Sequence, residues 1–341
     1  FVQSKEGAVL VKCHPPEWII KELQARCGWT GIPALEAIVE APMLRPDGTM
    51  IDRPGYDATT GLLYIPNGDF ADAPPASRDS AVEALAALHD LVCDFPFATR
   101  AHRAAWVAAV LTPFSRFAFA GPSPLNLVDA NVRGAGKSIL ADITSVIVAG
   151  RMMPRMSPAQ DDAEERKRIT TLVMSGTNLV LIDNIVGSLG SQALDAALTA
   201  TTWRDRILGK NVDVELPVLI TWYATGNNVA LVGDMSRRVL HVRLESPEEK
   251  PETRTGFKYH PILRHVQRHR RAYALAALAI LRAYCGAGRP EQPISPWGSF
   301  DDWSRLVRHA LVWTGDADPG DTREALRAES DTAASALVDL I

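Results

Sequence analysis

The sequence predicts an α/β fold, a parallel sheet with helices on both faces, and three observations predict it. Between Pro124 and Leu244, short apolar runs alternate with stretches of helical periodicity, the pattern of strands joined by crossover helices. The first run, "LNLVD", passes through a Gly-Lys-Ser loop straight into a helix. A later run, "NLVLID", is apolar until it closes on the carboxylate of Asp183.

Bulk properties narrow the rest. The chain has 341 residues, 47% hydrophobic and 22% charged, enough for two or three domains of ordinary globular composition. A net charge of −4 excludes a global basic field, so a nucleic-acid site has to be a local patch or a pore made by assembly. Cys13, Cys27, Cys93 and Cys285 form no CxxC pair. That speaks against a zinc knuckle or a disulfide framework and for a reduced, cytoplasmic protein. No apolar run approaches the roughly 18 residues of a membrane helix, and no signal peptide is visible. The chain opens at Phe1 and stops inside a helical pattern, which reads as part of something longer.

Taken in order, residues 1–75 read as a small mixed unit, because "PMLRPDGTMIDRPGYDATTGLLYIP" has the grammar of short strands and tight turns. Its "CHPPEW" sets Cys13 beside His14 with no second ligand pair at metal spacing, so it reads as structural. Residues 76–120 form a helical module, with "SRDSAVEALAALHDLVCDF" opening on a Ser/Asp cap and "RAHRAAWVAAVLTPFSRFAF" as a second helix. Residues 121–250 carry the sheet. "KSILADITSVIVAG" is a helix ended by Gly150, "DDAEERKRITTLVMSG" a helix with an acidic first turn, and "SQALDAALTATT" a third; "VLITWYAT" and "VLHVRL" are further strands. Residues 251–341 are helical, in "ILRHVQRHRRAYALAALAILRAYCGAG" and "FDDWSRLVRHALVW". The basic run of Arg264, His265, Arg268, His269, Arg270 and Arg271 is either a DNA contact or a solvated helix face.

A phosphate loop needs backbone N–H groups aimed at the anion and a helix N-terminus behind them. It also needs a Lys for the outer phosphates and a hydroxyl for Mg²⁺. In "NVRGAGKS" the strand ends at Asp129, Gly134 and Gly136 supply permissive backbone, and Lys137 and Ser138 fit the two side-chain roles. Asn131 stands where the pattern wants its first glycine, and is tolerated because Asn visits left-handed conformations. Arg133, Ala135 and Ile139 complete the nucleotide-contacting run. Asp183 is expected to hold Mg²⁺ through water. Asn184 follows it where a water-activating Glu is common; Asn cannot accept a proton, and Glu164 or Glu165 are loosely placed substitutes. In "ATGNN", Asn227 is the residue expected to reach the γ-phosphate or the attacking water, with Asn228 in reserve. In "GDMSRRVLHVRL", Arg237 or Arg238 can serve a neighbouring subunit's nucleotide as an arginine finger. In "TTWRDRILGKNVDVELP", two alternating runs flank the turn residues "GKN", a β-hairpin with Lys210 at its tip. In a ring, Lys210, supported by Arg204 or Arg206, would track a phosphodiester backbone without reading sequence.

This motif order resembles superfamily 3 helicases and their phage-type primase–helicase relatives, which belong to the AAA+ group. The motif match covers residues 125–244; a looser likeness, including "LRPDGTMIDRPGYDATTGLLY" and "FDDWSRLVRHALVW", extends over nearly the whole chain. The resemblance implies an AAA+ P-loop ATPase core in a hexameric ring. Such a ring hydrolyses ATP with Mg²⁺ between subunits and draws single-stranded or forked DNA through its centre, in replication of a phage or other mobile element, with a primase domain or protein as a further partner and no membrane. Two other functions are open. An AAA+ remodeller of a protein partner would present aromatic pore residues, which this hairpin tip lacks. A nucleotide-gated DNA-binding initiator would hydrolyse ATP weakly or not at all, and Asn184 favours it.

Overall fold

The computed structural model describes residues 2–4, 7–9, 14–26, 29–206, 213–323 and 326. Its centre is a five-stranded, wholly parallel sheet. In chain order the strands are β1 (Leu125–Ala130), β2 (Arg155–Met156), β3 (Leu179–Ile185), β4 (Thr221–Asn227) and β5 (Val239–Leu244), arranged β5-β1-β4-β3-β2. Three parallel strands lie side by side with their C-terminal ends together: Asp129 stands opposite Gly226 and Asn227 opposite Ala130. Asp183 falls in the bulge that interrupts the β3–β4 register after Ile182.

Successive residues of each strand enter opposite cores, which is why the strands are apolar almost throughout. Val128, Leu181, Tyr223, Leu240 and Val242 pack on one side with helices α1 (Arg78–Leu91), α2 (Arg100–Ser115) and α3 (Lys137–Ala149). Leu127, Val180, Ile182, Trp222 and Ala224 pack on the other with α4 (Asp162–Met174) and α5 (Gln192–Thr199). Caps fix the helix starts: Ser77, Thr99, Asp161 and Ser191 each accept a backbone N–H from the first turn. Gly150, left-handed at φ 72°, ends α3 as expected. From Ala104 to Ser115, α2 is buried on every side, the mark of a central helix.

Residues 37–64 contribute a small three-stranded sheet, Ala37–Val39 parallel to Leu62–Tyr64 and Gly55–Asp57 antiparallel to it. Arg45 braces it through Asp57 at 2.8 and 3.0 Å. Leu44, Ile51 and Leu62 share one core with α1, α2 and α3.

The C-terminal reading needs one correction. The long helical pattern beginning at Ile262 is two helices, α6 (Ile262–Arg268) and α7 (Arg270–Gly286), broken at His269. The break turns Arg270 inward, to donate to Ile147 O (3.1 Å), Val148 O (2.7 Å) and Asn67 O. Arg270 is 6% exposed and caps the C-terminal end of α3, where a cation is favoured. Arg271 is drawn to Asp72 at 3.2 Å and to Asp69. These two arginines of the basic run therefore hold the fold together, while Arg264 and Arg268 stay exposed. Residues 301–314 form one helix that includes a π turn at Ser304–Arg308. Among the described residues no helix is long and apolar enough to cross a membrane.

His102 packs edge-on against His241, ring centres 5.2 Å apart, and burial pushes its pKa down to about 4. A folded-state pKa below the ordinary value near 6.5 means that the unfolded chain takes up the proton first. Stability is therefore complete above pH about 6.5 and is lost as pH falls from there towards 4, by as much as about 3 kcal/mol. His102→Gln should flatten that part of the denaturant-midpoint profile.

Candidate nucleotide site

The loop between β1 and α3 carries its curvature on two glycines, Gly134 at φ 78° and Gly136 at φ 95°. Space adds to this at Gly136, whose neighbour is a ring, and less at Gly134, whose neighbour is the movable end of an exposed side chain. A Cβ on Gly136 would stand 2.7 Å from the Phe95 ring, and one on Gly134 2.6 Å from the Glu252 carboxylate. Asn131 acts differently from the sequence expectation, since its φ is not positive. Its side chain instead clamps the end of β5, donating to Ser246 O (2.9 Å) and accepting from Ser246 N–H (3.0 Å). The amide holds the loop's first residue through hydrogen bonds, where a glycine would hold nothing.

Four of the expected residues meet at the strand ends. Lys137 Nζ donates to Asn227 Oδ1 at 2.6 Å, and Ser138 Oγ donates to Asp183 Oδ1 at 3.1 Å. Lys137 is half-buried, which lowers its pKa against the opposing pull of Asp129 and Asp183. Burial raises the Asp183 pKa, but hydrogen bonds from Thr225 and Ser138 and the charge of Arg155 outweigh it, so the carboxylate sits below its usual range. The arrangement is a cation, a hydroxyl and a carboxylate converging at the N-terminus of α3, suited to an anion with a divalent cation beside it. Mg²⁺ needs only one or two carboxylates when phosphates and waters complete its shell, so Ser138 and Asp183 fit it.

Two residues essential to this geometry carried no sequence signal. Thr225 donates to Asp183 Oδ1 at 2.6 Å and accepts the Asn184 N–H at 3.0 Å. Arg155, on the edge strand β2, donates to Asp183 Oδ2 (2.9 Å) and to both oxygens of the buried Asp142 (2.7 and 2.6 Å). It stands where a second cation is needed between two carboxylates. Arg155→Met is expected to destabilise the nucleotide-free protein by about 2 kcal/mol, reduced from a fully buried case because the side chain is 38% exposed. Mg²⁺ should recover part of that loss in a thermal melt, since it can replace the missing charge at Asp183.

Asn184 has a backbone reason to be Asn. It is left-handed at φ 60°, in the bulge between Ile182 and Ile185, a conformation Asn adopts more readily than Glu. The reserve residue Asn228, also left-handed at φ 47°, is structural: it donates to Asn131 O at 3.3 Å and accepts from Arg243 at 2.8 Å. Glu164 is committed to Arg168 at 3.0 Å, and Glu165 is buried on α4; no hydrogen bond or ion pair among the described residues joins either to Asp183. Arg133 and Ile139 are exposed on the loop and first turn.

The paired arginines separate. Arg238 is 18% exposed and held by Asp234 (3.0 Å) and Asp195 (3.3 Å). Arg237 is 60% exposed, with Asp234 as its neighbour. The hairpin forms as expected, Thr202–Arg206 against Asp213–Pro217, but acids face its arginines: Arg204 is opposite Glu215 and 3.4 Å from Asp213, and Arg206 is opposite Asp213. Lys210 lies outside the described residues.

A cavity of about 740 Å³ opens beside the loop, walled by Ala135, Ile139, Phe95, Phe257, Tyr259 and Ile262. Its walls mix aromatic rings with the acidic Asp94, Glu248 and Glu252; it adjoins the glycine loop and is large enough for a nucleoside.

No family model and no curated protein matches this chain. Solved structures with a similar arrangement include the NrS-1 C-terminal region, at TM-score 0.44 and 11% identity over 83% of this chain and 58% of that one. They also include the JCV helicase, at TM-score 0.30 and 11% identity over 70% of this chain and 66% of that one. The chain thus spans just over half of the first. Both scores are too low to carry fold or function, which rest here on the chain's own sheet and side chains.

Proposed function

We propose that the protein is an ATP-driven DNA translocase of the superfamily 3 helicase type within the AAA+ group. It would work as a ring, a hexamer with ATP bound between subunits, in the replication of a phage or mobile element, with a primase as partner. The observation that carries the reading is the pairing of Lys137 with Asn227 and of Ser138 with Asp183, at the adjoining ends of three parallel strands behind one helix N-terminus.

In this reading the phosphates of ATP lie against the N–H groups of Gly134, Ala135 and Gly136, and Lys137 turns from Asn227 to the outer phosphate. Asn227, released, is free to hydrogen-bond the γ-phosphate or to orient the attacking water. Mg²⁺, when bound, supplies charge compensation to the phosphate oxygens. Ser138 and Asp183 hold it, and Thr225 keeps the carboxylate in line. The base and sugar occupy the cavity between Phe95 and Phe257. Arg237, exposed, serves the neighbouring subunit's nucleotide; Arg238 is spent within its own chain. Lys210 meets DNA, with less help from Arg204 and Arg206 than their charge alone implies.

Lys210→Ala tests the DNA contact. Basal ATPase should persist, while stimulation by single-stranded DNA and unwinding should fall about tenfold, the scale of one lost charged contact. Unchanged stimulation and unwinding would remove the hairpin from the proposal. The left-handed Asn184 favours a slow-hydrolysis variant of the same reading, a nucleotide-gated initiator, because it stands where a water-activating Glu is common and its amide cannot accept a proton.

A further inference from the structure

On the sheet face opposite the phosphate loop's helix, a small cavity of about 10 Å³ lies between the end of α2, the start of β4 and α5, lined by Arg116, Ser123, Ala197, Leu198, Val218 and Trp222 among others. It has room for about one water-sized sphere. Arg116 is 6% exposed, Ser123 4% and Trp222 1%. Each has a buried polar atom without a hydrogen-bond partner: Arg116 Nε, Ser123 Oγ and Trp222 Nε1. Two of these atoms can only donate and the third can donate.

The charge at the cavity is equally one-sided. Arg116 donates Nη2 to Val218 O at 2.8 Å and lies over the Phe119 ring at 5.2 Å, but no carboxylate pairs with it among the described residues. Burial pushes its pKa down to about 10, so at neutral pH it remains a cation. Other buried arginines of this chain are compensated more fully, Arg308 by Asp318 at 2.6 Å and Arg270 by three backbone carbonyls, whereas Arg116 has Val218 O alone.

We propose that Arg116, Ser123 and Trp222 form a binding site for one chloride ion. A monatomic anion would accept hydrogen bonds from such donors, donate none, and neutralise the guanidinium. A water molecule serves less well. It can accept from Arg116 and Trp222, but its own two hydrogens find only Ser123 Oγ among these three groups, and the cation stays uncompensated. The ion would tie the end of α2 to the strand that carries Asn227, at the far end of β4 from that residue, so it is a structural anion and separate from the nucleotide.

Thermal unfolding of the whole chain, in sodium chloride against sodium gluconate at equal ionic strength and pH, tests this. Chloride should raise the unfolding temperature saturably, by about 3 °C or more. The rise should vanish in Arg116→Met and need about tenfold more chloride in Trp222→Phe, which keeps the ring and loses the donor. Should Arg116→Met fail to fold, Trp222→Phe and an anomalous peak at the cavity in bromide-grown crystals still decide. Coincident chloride and gluconate curves would mean that water fills the cavity and would overturn the proposal. So would a chloride effect of equal size in the Trp222→Phe protein, because the ion would then act elsewhere.

Discussion

Lys137→Ala is expected to lower ATP turnover by at least about 100-fold, the loss that follows removal of one preorganised donor from a developing charge. Its effect on stability should be small or favourable. The Lys137 ammonium is half-buried, and burial already lowers its pKa, so the folded protein keeps this cation at a cost. A variant that melts at or above the wild-type temperature yet turns over little ATP would separate a functional lysine from a structural one. A large drop in melting temperature would instead make Lys137 part of the Asn227 and Asp183 scaffold.

Arg237→Ala should reduce turnover about 1,000-fold while nucleotide affinity is kept, the behaviour of a finger that touches only a neighbour's transition state. Arg238→Ala should act on the fold, costing about 1–3 kcal/mol by freeing Asp195 and Asp234 from their partner, and should lower turnover no further than that instability requires. Mixing supplies the sharper reading. Subunits carrying Lys137→Ala still present Arg237, and subunits carrying Arg237→Ala still present Lys137. Mixed rings should therefore regain activity that neither variant has alone. Failure of the mixture to recover would place Arg237 outside the active site.

Much of this geometry was legible in the sequence because it is local. Strand, glycine turn and helix are adjacent along the chain at residues 125–149, and apolar runs with a polar last residue announced the strands that bring Asp183 and Asn227 to the same rim. The unreadable parts depend on tertiary placement. Arg155 lies in a two-residue edge strand with no periodicity, and only the sheet order sets it beside Asp183. Thr225 reads as a strand residue until the parallel pairing turns its hydroxyl to Asp183. The break at His269 opposes a helical pattern on both sides, because Arg270 gains three carbonyl partners by turning inward. Asn131 was expected to supply a left-handed backbone and instead supplies side-chain hydrogen bonds, while the left-handed positions belong to Asn184 and Asn228. A residue type can thus be matched to a loop correctly and for the wrong property.

In the proposed function, Lys137, Ser138, Asp183 and Asn227 form a working Mg²⁺–nucleotide site coupled to DNA. Phosphate release from ATP, measured with and without Mg²⁺ and with and without single-stranded DNA, tests it most directly. Turnover that requires Mg²⁺ and rises with DNA is the predicted result. The absence of Mg²⁺-dependent phosphate release under every one of these conditions would contradict it.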